Sequence, residues 1–418
     1  MQSKPYTKYK PSGVEWLGDV PEHWEVTSLK FICRFAYGDS LASEDREDGD
    51  YLVFGSNGPV GTHKLPNTTK PVIVVGRKGS YGKINYSDNQ IFAIDTTYFI
   101  DSRYTTQSIQ WLKFSLLTLC LDIGSKDSAV PGLAREDAYE KRLPLPPLPE
   151  QQSIATFLDR ETGRIDALIA KKKKLLSLLA EQRTALISRT VTKGLNPSVK
   201  LKPSGVEWLG DVPEHWDVKR LKFLGTALIG LTYSPDDVVD EEYDGKKHLV
   251  LRSTNIQDGK ISLHENVYVT TKISDELNVK KWDILICARN GSRHLVGKNA
   301  LITDDNNTMT FGAFTTVYRS TINAFLFYYF ASNQFKYQST GFLTTTINQL
   351  TNENLNSIIA TLPPLPEQSA IADFLDRETA KIDTLSAKVQ TAIERLREYR
   401  TALISAAVTG KIDVREAV

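Results

Sequence analysis

PSGVEWLGDVPEHW, residues 11–24, recurs letter for letter at 203–216, and this recurrence decides the organisation of the chain. Three shorter repeats follow each copy: LPPLPEQ at 145–151 and 362–368, FLDRET at 157–162 and 374–379, and RTALIS at 183–188 and 400–405. The first block is offset by 192 residues and the later ones by 217, so the middle of the second copy is 25 residues longer. A period near 200 residues is that of a domain with an attached element. Solenoid repeats run only to roughly 20–50 residues. The chain is therefore a tandem duplication that keeps two segments per copy and lets the body between them diverge.

The divergent bodies, roughly 25–144 and 217–361, are rich in Gly, Asn, Thr, Tyr and short β-branched runs. VIVV at 72–75, IFAI at 91–94, HLVL at 248–251 and DILI at 283–286 read as short strands bounded by turn residues. Helices are expected near Gln107–Leu121 and Asn323–Gln334. Each body is expected to be α+β.

After LPPLPEQ the character changes, with no proline from Gln151 to Asn196 or from Gln368 to the C-terminus. Leu375, Ile382, Val389, Leu396 and Leu403 recur every seven residues, with Leu385, Ala392 and Tyr399 as the companion row. The first copy keeps Leu158, Ile165, Leu168, Leu175, Leu179 and Leu186, and places Lys172 and Gln182 in the stripe. A seven-residue apolar stripe holds one helix face against a partner helix. Prolines ahead of each stripe and Gly194 and Gly410 behind it suit helix starts and exits. Helices over 151–193 and 368–409 would each run about 55–65 Å. Two such stripes left open would aggregate, so each is expected to pair with the other, as in a coiled coil. The alternative is that each packs on its own body.

The chain has 418 residues, two to three times a common domain length. It is 41% hydrophobic and 24% charged, which excludes a wholly disordered or collagen-like protein. Lys plus Arg is 51 against 50 acidic residues, so contact with nucleic acid must come from local patches. Cys33, Cys120 and Cys287 stand too far apart for a disulfide framework or a cysteine metal cluster. The N-terminus carries no apolar leader, and the longest apolar stretch, near 114–123, is short of the roughly 20 residues that span a bilayer. A soluble cytoplasmic protein with no membrane partner is expected.

The ordered set PSGVEWLGDVPEHW, divergent body, LPPLPEQ, FLDRET, ID and RTALIS, given twice, resembles the specificity subunit of type I restriction–modification systems across essentially the whole chain. The resemblance implies two α/β target recognition domains, at 1–150 and 202–367. Conserved spacer helices follow at 151–193 and 368–409, with a linker at 194–201 and a tail at 410–418. It implies that each recognition domain reads one half of a split double-stranded DNA target, that the helices pair antiparallel, and that two methyltransferase subunits and then restriction subunits assemble on them. S-adenosylmethionine, ATP and magnesium would belong to those partners, leaving no cofactor in this chain. The residues agree on one further point. Duplicated segments present two similar surfaces, which suit two copies of one partner, while unlike bodies suit an asymmetric target rather than a palindrome.

The clearest local match between the bodies is GRKGS at 76–80 against ARNGS at 288–292, each behind an apolar strand and ahead of Gly-Lys. Such turns bring side chains and N–H groups to phosphates or base edges, with Arg suited to guanine and Asn to adenine. Candidate DNA-binding residues are Arg77, Lys78, Ser80, Tyr81 and Lys83 in the first body. In the second they are Arg289, Asn290, Ser292, Arg293, His294 and Lys298. GSNGPVGTHK at 55–64 adds Asn57 and Lys64, and LRSTNIQDGK at 251–260 adds Arg252 and Asn255. The plainer alternative at each place is a solvated turn with incidental charge. Lys171–Lys174 read as a solvated helix face, with phosphate or partner contact as the alternative. Asp159, Glu161, Asp166, Asp376, Glu378 and Asp383 read as solvent-exposed or as part of a methyltransferase interface.

No catalytic or metal residues are assigned. GRKGSYGK fails as a phosphate-binding P-loop, because Gly76 and Gly82 are one residue too far apart and Ile84 follows Lys83 where Ser or Thr should bind magnesium. His23 and His215 lie in the repeated EHW and are expected to pack beside Trp24 and Trp216. The Asn-Pro-Pro-aromatic motif of adenine methyltransferases is absent. The expectation is a non-catalytic DNA specificity subunit. The alternatives are a protein-interaction scaffold that does not read DNA and a stand-alone DNA-modifying enzyme.

Overall fold

The computed structural model describes residues 4–123, 131–304, 308–343 and 348–416. The chain divides into two compact units, Met1–Lys173 with Gln390–Val418, and Lys174–Val389. The division cuts both long helices, Leu148–Lys193 and Leu365–Val408. Each unit thus holds one body, the nearer part of the helix that follows that body, and the last part of the other helix.

The two bodies share the order of one four-stranded sheet despite their divergence. In the first unit a four-stranded sheet runs Ala36–Tyr37, Thr97–Ile100, Val72–Gly76, Ile84–Ser87, antiparallel throughout. In the second unit the matching order is Thr226–Ile229, Thr315–Arg319, Ile284–Cys287, Asn299–Leu301. Beside it Tyr51–Gly55 pairs in parallel with Phe92–Ala93, as His248–Leu251 does with Met309–Phe311. Val72–Val75 and Ile284–Cys287 are fully buried, which is why both read as continuous apolar runs rather than alternating ones. Of IFAI only Phe92–Ala93 is strand. The first expected helix is confined to Ile109–Leu117, capped by Ser108. The second breaks into Asn323–Phe330 and Asn333–Gly341, because Ser332 turns its hydroxyl to the Tyr329 carbonyl and accepts from the Phe335 N–H.

The long helices start at Leu148 and Leu365, three residues ahead of the expected starts. Pro149 and Pro366 fall in the first turn, where a missing N–H costs nothing. Both helices end in a left-handed glycine, Gly194 at φ +74° and Gly410 at φ +72°. A Cβ on Gly410 would lie 2.4 Å from Pro21, so this exit requires glycine twice over.

Within each unit the helices run antiparallel. In the first, Arg400 Nε donates to Asp166 Oδ1 at 2.9 Å, and in the second Arg183 Nε donates to Asp383 Oδ1 at 2.9 Å. The two pairs are copies of one another, offset by 217 residues at both partners. Such exposed pairs contribute at most about 1 kcal/mol, and their role is register, since a slip of one helix breaks them. The seam differs from the sequence expectation in its second row. Leu158, Ile165, Leu179, Leu375, Val389 and Leu403 are buried, and Leu186, Ile382 and Leu396 are half-buried. Leu168, Leu175, Leu385 and Tyr399, however, are exposed. The companion row lies one residue, a turn of about 100°, further on: Ile169 and Leu176 in the first helix, and Ser386, Ile393 and Arg400 in the second. Adjacent apolar pairs Leu168–Ile169 and Leu175–Leu176 hide that choice. Its polar members are provided for, Arg400 by Asp166 and the buried Thr162 and Thr379 by carbonyls one turn back.

The repeated segments clamp each other. Trp24 Nε1 donates to Glu150 Oε2 at 2.9 Å and His23 Nε2 lies 2.6 Å from Glu150 Oε1. In the second unit Trp216 Nε1 donates to Glu367 Oε2 at 3.0 Å, and His215 meets the other oxygen of Glu367. EHW and the Glu of LPPLPEQ are thus two halves of one joint. This accounts for the repeated histidines more fully than packing beside tryptophan. The first joint is the more enclosed. Tyr6 also donates to Glu150, and burial and that carboxylate both hold its phenol protonated well above the ordinary tyrosine range.

No helix among the described residues is long and apolar enough to cross a membrane.

Candidate nucleic-acid interface

In each four-stranded sheet an inner strand, Val72–Gly76 or Ile284–Cys287, is joined by a turn to the edge strand beside it, and these two turns hold most of the candidate residues. Gly76 N donates to Lys83 O at 2.9 Å and Gly82 N to Gly76 O at 2.8 Å. Cys287 N donates to Lys298 O at 2.8 Å and Gly297 N to Cys287 O at 2.9 Å. The bases of the turns therefore correspond as Gly76 to Cys287, Gly82 to Gly297 and Lys83 to Lys298. Strand register agrees, since Gly76 faces Thr97 and Cys287 faces Thr315. The sequence match of GRKGS to ARNGS is out by one residue. Arg77 corresponds to Ala288, and Lys78 to Arg289. Between those bases the second turn is longer by four residues and includes a short helical turn, Arg293–Leu295.

Backbone bonds repeat across the match. Arg77 and Lys78 N–H groups both donate to Thr96 O, and those of Ala288 and Arg289 both donate to Phe314 O. Leu133 N donates to Arg77 O and Leu350 N to Ala288 O. Lys78 forms an isolated bridge with Gly132, and Arg289 one with Gln349. Burial and the adjacent Tyr37 push the Tyr98 phenol up to about 12, so it stays a donor, here to Leu133 O at 3.1 Å. Gly82 is indispensable to the first turn. At φ +70° its Cβ would meet the Leu121 carbonyl at 2.2 Å.

The second candidate loop of each body lies against the first. Lys83 Nζ donates to both Asn57 oxygens and Asn85 Nδ2 to Ser56 O, and in the second body Asn290 Nδ2 donates to Ser253 Oγ. The candidate side chains fare differently. Lys78, Ser80 and Lys83 are exposed, with Tyr81 half-buried beside them. Lys64 is paired with Glu47 at 2.6 Å. Arg252 is half-buried and donates to Glu265 O, and Asn255 is buried with both amide atoms bonded inside its own turn. Arg289, Ser292 and His294 are exposed, Lys298 is half-buried, and Arg293 anchors the turn to Thr340 O and Leu343 O. Arg77 is half-buried. Its guanidinium lies over Tyr37 and Tyr98 and donates to Asp95 O at 3.0 Å. Sequence reasoning missed Tyr37 and Phe314, whose rings underlie Arg77 and Arg289, because each comes from a strand end remote in sequence.

The six repeated acids are dispersed. Asp166 and Asp383 join the helices, Asp159 meets Lys113 at 2.7 Å, and Asp376 accepts from Tyr328. Glu161 and Glu378 pair with Arg164 and Lys381 on their own helices.

Two α+β bodies with matching four-stranded sheets, each with a cationic turn at the end of an inner strand and a long helix behind it, define a tandem two-module protein. The chain belongs to the type I restriction–modification specificity-subunit family. The family model described as the type I restriction modification DNA specificity domain matches twice, at residues 21–177 and 213–395. The EcoKI specificity subunit of Escherichia coli K12 is 27% identical over 208 residues, which take in 49% of this chain and 44% of that protein. The alignment thus spans under half of that relative's length. The MjaVIII specificity subunit of Methanocaldococcus jannaschii is 25% identical over 430 residues, covering 95% of this chain and 94% of that one. A solved chain from work on the assembly and conformational transition of a type I system shares the fold. Its TM-score is 0.63 at 15% identity, over 93% of this chain and 98% of that one.

Proposed function

We propose that this chain is the non-catalytic specificity subunit of a type I restriction–modification complex, reading an asymmetric, bipartite double-stranded DNA target. One observation carries this reading: two turns of matching backbone geometry present unlike side chains. Equivalent placement suits the same task in both bodies, and unlike side chains suit different half-sites. The two long helices connect the readers, and their length sets the separation of the half-sites. Duplicated helices and joints present two similar surfaces, which suit two methyltransferase subunits, with restriction subunits joining through them. S-adenosylmethionine, ATP and magnesium act in those partners, in the cytoplasm.

The isolated chain is expected to transfer no methyl group to DNA from S-adenosylmethionine. With methyltransferase subunits added it is expected to retain one sequence selectively and to direct methylation there. Methylation by the isolated chain would make it an enzyme in its own right. A complex that assembles yet retains all sequences equally would make it a scaffold.

A further inference from the structure

Both bodies pin the backbone of one exposed cation from two sides and leave its side chain projecting. At Lys78 the pins are the bond to Thr96 O at 3.2 Å and the bridge to Gly132; at Arg289 they are the bond to Phe314 O at 3.0 Å and the bridge to Gln349. Neither side chain has a hydrogen-bond or ion-pair partner among the described residues, although Lys83, Lys64, Arg252 and Arg293 close by are all engaged. Arg289 lies 5.2 Å over the ring of Phe314, which is itself 61% exposed, so its planar fork is oriented without being neutralised. The preceding position does the opposite work. Arg77 is stacked and bonded inward, and its counterpart Ala288 is a buried methyl.

Resting on the reading of the turns as DNA-facing, we infer that Lys78 and Arg289 are the equivalent DNA-contacting cations of the two recognition domains, and that Arg77 belongs to the framework. The chemistry both positions offer is a cation for an anionic or acceptor group of DNA, either a phosphate or the O6/N7 edge of guanine. A group on a pinned backbone has little freedom left to lose on binding. Arg289 can pair bidentately where Lys78 is a point charge, so the two domains use one position with different selectivity.

The test uses the full chain assembled with its methyltransferase subunits and a duplex library randomised at both half-sites, with Lys78→Ala, Arg289→Ala and Arg77→Ala each compared with wild type. If Lys78 or Arg289 reads a base, its alanine variant is expected to relax one half-site by roughly 5- to 100-fold and leave the other intact. If the cation instead meets a phosphate, the variant is expected to bind all sequences more weakly and alike, and to flatten the plot of log affinity against log salt by about 0.9. Either result at both positions supports the inference. Arg77→Ala is expected to lower the melting temperature while the selected bases and the salt slope stay those of wild type. Unchanged binding in Lys78→Ala or Arg289→Ala overturns the inference, as does a changed base preference in a folded Arg77→Ala complex. Wild type that selects no sequence overturns the wider reading as well, so the two failures are distinguishable.

Discussion

Val389→Asp combined with Ile393→Asp is expected to open the middle of the helix pair and abolish assembly with methyltransferase subunits while both bodies stay folded. Val389 is 6% and Ile393 2% exposed, one residue on each side of the division between the units. Burying a carboxylate at either place costs several kcal/mol unless the helices separate. Two such costs rival the roughly 5–15 kcal/mol that stabilises an ordinary domain. The bodies should survive because the helix ends, not the middle, enter their cores. Ile187, Val191, Ile371 and Leu375 lie in the same cluster as Tyr318, Phe325 and Phe335 of the second body. Limited proteolysis would show new cleavage in the helices with the bodies still protected. A double variant that assembles and melts like wild type would mean that these residues do not face the opposing helix.

Glu150→Ala and Glu367→Ala are expected to destabilise unequally, though they remove the same residue from two copies of one joint. Glu150 accepts from Tyr6, Trp24 and His23, and its side chain is 11% exposed; that of Glu367 is 42% exposed and among the described residues receives Trp216 and His215. Removing Glu150 strands the Trp24 N–H and the Tyr6 hydroxyl away from water. Buried groups left unsatisfied cost about 1–3 kcal/mol each. The expected loss is about 3 kcal/mol for Glu150→Ala and about 1 kcal/mol for Glu367→Ala, read from denaturant melts. Glu150→Gln, which keeps an acceptor oxygen, should fall between wild type and Glu150→Ala. Equal losses in the two alanine variants would show that the extra enclosure of the first joint contributes nothing.

The duplication was legible because it is written in identical letters, and the helices because a seven-residue stripe has few other uses. The second row of the seam was not, since Leu168 beside Ile169 offers two apolar choices about 100° apart and only the partner helix selects between them. Thr379 and Arg400 mislead in the other direction, as polar residues in the seam whose acceptability depends on a bond within the helix or an acid on the other one. At the candidate interface the turns themselves were readable from apolar strand, glycine and basic residue. Their alignment was not. ARNGS imitates GRKGS so closely that the letters set Arg289 against Arg77, while the strand register and the bond to Phe314 O match it to Lys78. Asn255 illustrates the remaining limit: its residue type suits adenine, but its amide is consumed by the turn it stabilises.

The most direct test of the proposed two-reader arrangement is to lengthen the connection between the units. One heptad inserted near the middle of each long helix, in register, adds roughly 10 Å per helix. The complex of this variant with its methyltransferase subunits is then selected against a library in which the half-sites are kept and the spacer is varied. The preferred spacer is expected to grow by at most about 3 base pairs at roughly 3.4 Å per pair, with both half-sites unchanged. A folded, active variant that keeps the original spacer would contradict the account.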